Sequence, residues 1–98
     1  MVTEAAKTVI LLSCFEPFGG DAINSSLEVC RHLEQEGISG IEICVLPVVW
    51  KSAPENLLKG IERWKPRIVL AFGQAKRRGI ALETQAENLD DFRIPDNA

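Results

Sequence analysis

The sequence predicts an α/β fold with three layers (αβα), in which a mostly parallel sheet lies between two layers of helices. Short apolar segments alternate with stretches of helical periodicity in the order β-α-β-α-β, and the connections between them are short. Segments that alternate in this way form parallel sheets joined by right-handed crossovers. The apolar segments are also hydrophobic on both faces, which is typical of strands that helices cover from both sides.

The first predicted strand covers Thr8 to Cys14, where nearly every residue is apolar or β-branched. A turn-rich stretch from Phe15 to Asp21 follows this strand and leads to the first predicted helix. Ser25 and Glu28 have the spacing of a capping box at the start of that helix, and Gly37 is expected to end it. These signals predict a β-α unit in the first third of the chain.

A second unit of the same kind follows. The predicted strand covers Ile41 to Val49, and Pro47 is expected to close it or to lie at an irregular edge. Ser52 and Glu55 form a second capping-box pattern, and Pro66 stops the helix that begins there. The helix between these signals has apolar residues at helical spacing.

The third predicted strand covers Arg67 to Phe72 and is apolar throughout. Such a strand is expected to lie inside a sheet, with pairing on both edges. Beyond it the signals weaken: Ile80 to Thr84 is predicted as a short strand, and Asn88 to Asn97 as a loop with turn chemistry at its end. The chain of 98 residues is therefore expected to form one α/β domain, spanning residues 1–98, or part of one.

Composition excludes several classes of function. The formal net charge is −3 and the basic residues form no stripe, which argues against a nucleic-acid groove or an anionic membrane surface as a partner. The longest apolar runs are too short to cross a bilayer, and the N-terminus lacks the pattern of a signal peptide. These features indicate a cytoplasmic globular protein.

The cysteines and the histidine also limit the chemistry. Cys14, Cys30 and Cys44 are odd in number, and two of them interrupt apolar segments, which suits buried, reduced thiols better than disulfides. There is no CxxC pair, and His32 is the only histidine, so a zinc site is not expected and no cofactor is implied. Cys30 and His32 are two positions apart on a predicted helix and therefore do not face each other.

Two loops at the predicted carboxyl edge of the sheet carry unusual residues. Phe15 and Phe18 flank Pro17 after the first strand, and Gly73 and Gln74 follow the third. Ligands of open α/β sheets bind at this edge, and two rings near an amide suit a small, flat, neutral ligand. The alternative is that the rings only cap the sheet as core residues.

The charged residues near these loops are candidate functional groups, but each of them also has a simpler interpretation as solvated surface. The basic run from Lys76 to Arg78 is a candidate phosphate site or a solvated loop. Glu83, Glu87, Asp90 and Asp91 are candidate acids, bases or orienting groups, or simply a solvated face. A dinucleotide site is not supported, because the glycine spacing G-x-G-x-x-G is absent.

Several blocks of the sequence match one known family in order and in most spacings. They are Phe15-Glu16-Pro17-Phe18-Gly19-Gly20, Asn24 and Ser26, Leu46-Pro47-Val48-Val49, Gly73-Gln74-Ala75, Glu83, Asn88 and Asp90-Asp91-Phe92-Arg93-Ile94-Pro95-Asp96-Asn97. In these blocks the chain resembles the type I pyroglutamyl peptidases. The resemblance departs from the family pattern at Lys76-Arg77-Arg78, at Ser25 and at Thr84-Gln85-Ala86, and one residue is missing before Glu83.

The resemblance implies a cytoplasmic thiol peptidase that removes N-terminal pyroglutamate from peptides, and an incomplete version of the phosphorylase/hydrolase-like fold. By motif, Glu83 corresponds to the acid that orients the catalytic histidine, and Arg93 to a donor on the oxyanion side. Phe15 and Phe18 correspond to residues that flank the lactam ring, and the loop of Gln74 to its amide contacts. Aromatic faces with fixed amide hydrogen bonds suit a neutral, planar lactam, and a carboxylate facing an imidazole fixes its tautomer.

In the family, the cysteine nucleophile and the histidine base lie beyond the region that this chain matches. The leading hypothesis is therefore the N-terminal part of a longer peptidase domain, which carries the pocket and the orienting glutamate without the reacting groups. A second hypothesis is a non-catalytic module that binds lactams. A third is a half-domain that self-associates, so that the protein is expected to be a homo-oligomer.

Overall fold

The computed structural model of the chain describes residues 8–76 and 79–85. Within these ranges the chain forms a β-α-β-α-β unit, as the sequence predicts. Its elements are β1 (Ile10–Phe15), α1 (Ser25–Gln35), β2 (Ile41–Leu46), α2 (Ser52–Trp64) and β3 (Ile68–Ala71). None of the helices in these ranges is long and apolar enough to cross a bilayer.

The strands form one parallel sheet in the order β2-β1-β3. Ile10 lies opposite Ile41 on one side and opposite Ile68 on the other, so β1 is the central strand. Because the strands are parallel, the loops that leave β1, β2 and β3 all start at the same edge of the sheet. This edge is where ligands of such sheets bind.

The helices lie on opposite faces of the sheet, which confirms the predicted three-layer architecture. Leu12 and Cys14 of β1 pack with Leu27 and Cys30 of α1 in a buried cluster. α2 lies on the other face, where the backbone of Gly60 approaches the side chain of Leu11. The core thus consists of two thin layers, one on each side of β1.

The capping residues differ from the predicted ones. The N-cap of α1 is Asn24, whose side chain accepts a hydrogen bond from the Ser26 N–H at 2.9 Å, so Ser25 is already inside the helix. Asparagine is as good a cap as serine, and burial of Asn24 selects it here. α2 has no side-chain cap, because the turn before it already has helical geometry at Lys51. Ser52 is therefore the first helical residue, and both predicted capping boxes were wrong.

The predicted C-terminal ends of the helices and of β2 agree with the structure better than the predicted helix starts do. Gly37 follows α1 with a φ of 68°, which is a conformation that glycine adopts without strain. Lys65 ends α2 in the left-handed region, with a φ of 46°, just before Pro66. β2 ends at Leu46, so Pro47 closes the strand as expected, and residues 48–49 lie outside it.

β3 lies at an edge of the described sheet, and all four of its residues are exposed, although its apolar composition is typical of an interior strand. The prediction for the residues after β3 was wrong. The predicted strand from Ile80 to Thr84 is not formed, and these residues are exposed. No described strand lies beside them to supply the ladder of hydrogen bonds. The predicted loop from Asn88 to Asn97 lies outside the described residues.

Candidate functional site

A shallow cavity of about 210 Å³ opens at the carboxyl edge of the sheet. Its walls come from the carboxyl end of β1 and from the loops that follow β1, β2 and β3. The lining residues are Phe15, Phe18, Val48, Gly73 and Gln74. The structure thus brings together the two aromatic residues after the first strand and the Gly73-Gln74 loop after the third, as the sequence analysis expected, and adds Val48.

Gln74 is fixed by the start of α1. Its side-chain oxygen Oε1 accepts a hydrogen bond from the backbone N–H of Ser25 at 2.7 Å. This N–H lies in the first turn of the helix, where backbone donors have no partner within the helix. No hydrogen bond from the side-chain NH₂ of Gln74 to another described residue is found, so within this part of the chain its two donors are available to a ligand in the cavity.

The backbone next to the cavity is held by a buried polar network. The N–H of Phe15 donates to Ser26 Oγ at 3.0 Å, and this hydroxyl donates to Asn24 Oδ1. Asn24 Nδ2 in turn donates to the carbonyl oxygen of Glu16 at 3.3 Å. Asn24 and Ser26 are only 1% and 3% exposed, so water does not compete for these bonds.

Glu16 joins two walls of the cavity. Its carboxylate oxygen Oε1 accepts a hydrogen bond from the Val48 N–H at 3.1 Å, and its own N–H donates to the Leu46 carbonyl at 3.1 Å. The loop after β1 is therefore tied to the loop after β2. The sequence analysis sought candidate carboxylates only after the third strand and did not select Glu16. Its position between a strand end and Pro17 was the available signal.

The turn that follows Phe18 depends on glycine. Gly19 and Gly20 have φ values of 64° and 79°, and Asp21 N–H donates to the Phe18 carbonyl at 3.1 Å. Residues with a Cβ rarely adopt two successive positive φ values, so the Gly-Gly pair supports this tight return of the chain. The turn directs the loop back toward α1 immediately after the ring of Phe18.

The described cysteines are protonated thiols at neutral pH. Burial, together with the neighbouring Cys30 thiol, raises the pKa of Cys14 from 9.0 to about 12. Burial also raises the pKa values of Cys30 and Cys44. Because the thiolate is the nucleophilic form, none of these side chains is activated for attack.

His32 does not pair with a thiol. Its Nε2 lies 3.6 Å from Glu36 Oε1 on the solvent side of α1, and its side chain is 73% exposed. Cys30, two positions earlier on the same helix, is completely buried. The structure therefore separates these residues, as their helical spacing indicates.

The remaining candidate residues do not line the cavity or lie outside the described ranges. Glu83 belongs to the exposed segment 79–85, which contains no helix or strand, and is not among the lining residues. Lys76 is exposed, whereas Arg77, Arg78, Glu87, Asp90, Asp91 and Arg93 lie outside the described residues. Within residues 8–76 and 79–85, no group of three or more metal-binding side chains is found.

Comparisons with known proteins agree on one family. A family model described as pyroglutamyl peptidase matches residues 8–98. The pyrrolidone-carboxylate peptidase of Vibrio vulnificus is 46% identical over 92 residues, which make up 91% of this chain and 43% of the relative. The protein of the same name from Fusobacterium nucleatum is 44% identical over 90 residues, or 90% of this chain and 42% of the relative.

Solved structures show the same relationship. The crystal structure of pyroglutamyl peptidase I from Bacillus amyloliquefaciens has a TM-score of 0.82 and 36% identity, and the match covers 93% of this chain and 45% of that one. A mutant pyrrolidone carboxyl peptidase from Pyrococcus furiosus has a TM-score of 0.78 and 41% identity, with 90% and 44% covered. The chain therefore spans less than half the length of the relatives that it matches.

Proposed function

This chain belongs to the pyroglutamyl peptidase family, and on that basis we propose that it forms the part of such a peptidase that binds the N-terminal pyroglutamyl residue of a peptide. The proposed reaction of the whole enzyme is cysteine-dependent hydrolysis of the bond that follows this residue. The observation that carries the proposal is the convergence on one cavity of Phe15 and Phe18, which follow one another closely, with Gln74, which lies more than 50 positions later in the sequence.

The chemistry of the cavity suits a lactam ring. The ring is small, nearly planar and neutral, and it presents one carbonyl acceptor and one N–H donor. The two phenylalanine rings and Val48 offer apolar walls, and none of the lining residues carries a charge. Gln74, with its oxygen held by Ser25, offers its NH₂ group to the lactam carbonyl. A charged amino acid side chain would lose its hydration in this cavity without an opposite charge to compensate.

Two further roles are part of the proposal. Glu83 is assigned to the orientation of the catalytic imidazole, and Arg93 to the stabilisation of the developing oxyanion. Their positions in the family motif support both assignments. A positioned donor of the second kind contributes about 3–4 kcal/mol to transition-state stabilisation in other enzymes.

The cysteine nucleophile and the histidine base are assigned to the part of the family domain that this chain does not span. Two observations support this. Cys14 and Cys30 are fully buried with raised pKa values, and the chain matches only 43% of the Vibrio relative. We place the protein in the cytoplasm, where three free thiols would remain reduced.

A second candidate function is binding without catalysis. The lining residues of the cavity all belong to this chain, whereas the described thiols have raised pKa values and are not activated for attack. The chain by itself would then be a lactam-binding module. Both candidate functions use the same lactam pocket. They differ only in whether a catalytic cysteine and histidine act on the bound ligand.

The test of the pocket is a titration of the ¹⁵N-labelled chain with 2-pyrrolidone, followed by NMR. We expect saturable shifts of the backbone amides of Phe15 and Gly73 and of the side-chain NH₂ of Gln74. Cyclopentanone, which has the same ring size but no N–H, should bind more weakly. Phe18→Ala should weaken binding at least tenfold, whereas Val29→Ala, at an exposed position on α1, should leave it unchanged. Absence of saturable shifts, or equal shifts with both ligands, would refute the lactam pocket.

A second measurement addresses catalysis. The isolated chain should not hydrolyse a fluorogenic pyroglutamyl substrate. A rate that follows the purified chain through successive columns and disappears in Glu83→Ala would show that a nucleophile lies within this chain. The assignment of the cysteine and histidine to the part of the family domain that this chain does not span would then be wrong.

A further inference from the structure

The first turn of α1 is hydrogen-bonded to both of the walls that carry the proposed recognition residues. The Ser25 N–H donates to Gln74 Oε1 at 2.7 Å. The hydroxyl of the next residue, Ser26, accepts a hydrogen bond from the Phe15 N–H at 3.0 Å. Two consecutive residues of one helix start therefore hold the loop after β3 and the end of β1 in a fixed relation to each other.

The Phe15 N–H lies where the β-sheet ladder has ended. The Glu16 N–H donates to the Leu46 carbonyl of β2, and N–H groups alternate in direction along a central strand, so the Phe15 N–H faces the side of β3. On that side the register with β3 ends two residues earlier, at Ser13. The Ser26 hydroxyl therefore supplies from α1 the acceptor that a neighbouring strand supplies elsewhere in the sheet.

The direction of the Ser26 hydroxyl is fixed as well. Its proton is donated to Asn24 Oδ1, which also accepts a hydrogen bond from the Ser26 backbone N–H at 2.9 Å. The lone pairs of the hydroxyl are thereby left for the Phe15 N–H. Ser26 is only 3% exposed, so water does not compete for this acceptor. Loss of the hydroxyl would remove the partner that the structure gives to the Phe15 N–H.

Ser26 does not itself reach the cavity. The lining residues include Phe15 but not Ser26. The side chain of Phe15 begins at the Cα next to the bonded N–H, so a shift of this backbone moves the ring relative to Gln74. The affinity for a small, rigid ligand depends on walls that are in place before the ligand binds. A contribution of Ser26 to ligand binding therefore acts through Phe15.

We propose that Ser26 is a positioning residue of the lactam pocket, whose hydroxyl holds the end of β1 so that the Phe15 ring contacts the same lactam to which the Gln74 amide is bonded. The inference rests on the proposed function of the cavity and adds to it a residue that does not touch the ligand. The alternative is that Ser26 serves only the stability of the helix start. The two roles differ because only a positioning role changes the affinity of the folded chain.

The test is the affinity of folded Ser26→Ala for 2-pyrrolidone, measured by NMR titration of the ¹⁵N-labelled chain. We expect the Kd to rise at least about fivefold, because the backbone of Phe15 is no longer held. The Phe15 amide proton should also lose protection from hydrogen exchange by a larger factor than that of Leu12 in the centre of the sheet.

The matched control is Cys30→Ala. Cys30 is completely buried on the same helix, and it does not line the cavity. Its truncation leaves a void in the core and lowers the free energy of unfolding, but it does not touch the bond between Ser26 and Phe15. The Kd of the folded Cys30→Ala chain for 2-pyrrolidone should therefore remain unchanged.

A double-mutant cycle shows whether the effect passes through Phe15. If Ser26 acts by holding the Phe15 ring, Ser26→Ala should have little effect once that ring is absent. We expect Ser26→Ala to change the Kd of the Phe15→Ala chain less than about twofold, against at least about fivefold in the unaltered chain. The same factor in both backgrounds would contradict positioning through Phe15.

Ser26→Cys is a milder change of the same bond. A thiol is a weaker acceptor than a hydroxyl and has a similar size, so the fold should tolerate it better than the complete loss of the acceptor. The Kd for 2-pyrrolidone should still rise about twofold or more, because the hydrogen bond from the Phe15 N–H is weakened.

The outcomes separate the positioning role from its alternatives. A raised Kd in Ser26→Ala that depends on Phe15 and is absent in Cys30→Ala supports the proposal. An unchanged Kd in folded Ser26→Ala or, if that chain does not fold, in Ser26→Cys overturns it and leaves the lactam pocket intact. An equal rise in Cys30→Ala assigns the effect to general destabilisation and also overturns it. Absence of saturable binding by the unaltered chain refutes the proposed function itself, and the positioning role with it.

Discussion

The Oε1 atom of Gln74 accepts a hydrogen bond from the Ser25 N–H at 2.7 Å, across 49 positions of the sequence. This bond fixes the loop after β3 to the first turn of α1, and it determines which end of the glutamine amide is left for the cavity. An acceptor in this place is favoured by the positive end of the helix dipole. One side chain therefore serves both the stability of the loop and the proposed recognition of a ligand.

Gln74→Glu should separate these two roles. A carboxylate still accepts from the Ser25 N–H, so the free energy of unfolding in urea should stay within about 0.5 kcal/mol of the original. The variant has no NH₂ donor for a lactam carbonyl, so the affinity for 2-pyrrolidone should fall at least tenfold. Gln74→Met should lose both properties. Unchanged affinity in Gln74→Glu would show that this amide does not contact the ligand.

The buried hydrogen-bond network predicts that substitutions of the neighbouring residues Asn24 and Ser25 change the free energy of unfolding by very different amounts. Asn24→Ala removes the cap of α1 and the hydrogen bonds that Asn24 makes with the Ser26 hydroxyl and the Glu16 carbonyl, so it should destabilise the chain by about 2–3 kcal/mol. Ser25→Ala should change stability by less than about 0.5 kcal/mol, because Ser25 uses only its backbone N–H in this bond. Urea unfolding of the two variants measures the contrast, and a reversed order would contradict the observed cap.

Gly60 provides a prediction of stabilisation. A Cβ at this position would lie 3.4 Å from Leu11 Cδ2 and 3.7 Å from Cys44 Sγ, which are ordinary contact distances. Gly60→Ala should therefore stabilise the chain by about 0.5–1 kcal/mol through helix propensity. Gly60→Leu should destabilise it, because the larger side chain forces α2 away from the sheet. Thermal unfolding of both variants tests the close approach, and stabilisation by leucine would rule it out.

The thiol of Cys14 predicts how stability depends on pH. Its pKa rises from 9.0 to about 12 on folding, so between these values the native state retains a proton that the unfolded state loses. The contribution of the protonated Cys14 thiol to the free energy of unfolding is therefore fully present below pH 9. It is lost as the pH rises toward 12, by up to about 1.4 kcal/mol per pH unit. Cys14→Ala should show a shallower decline in urea unfolding between pH 8.5 and 10.5. Parallel curves would contradict the assigned shift.

The order of the elements could be predicted from the sequence because each segment carries its own periodicity. The pocket could be predicted because Phe15 and Gln74 follow strands, and parallel strands end at one edge. The N-cap of α1 was more difficult to predict, because Asn24, Ser25 and Ser26 are all residue types that favour this position, and only burial selects among them. The apolar sequence of β3 is the same whether or not a partner covers the strand, so the sequence pattern alone does not predict the unpaired edge. Only the family resemblance, which implies a longer domain, suggested an open partner surface there.

The central position of β1 has a consequence for the lifetimes of individual amide protons. Alternate residues of β1 donate to β2 and to β3, so the whole strand should exchange with deuterium only when the sheet opens. In β3 the protons of Ile68 and Leu70 should persist, whereas those of Val69 and Ala71 should exchange quickly. The rates of hydrogen exchange of the four β3 amides would therefore show which edge of the sheet is open to water.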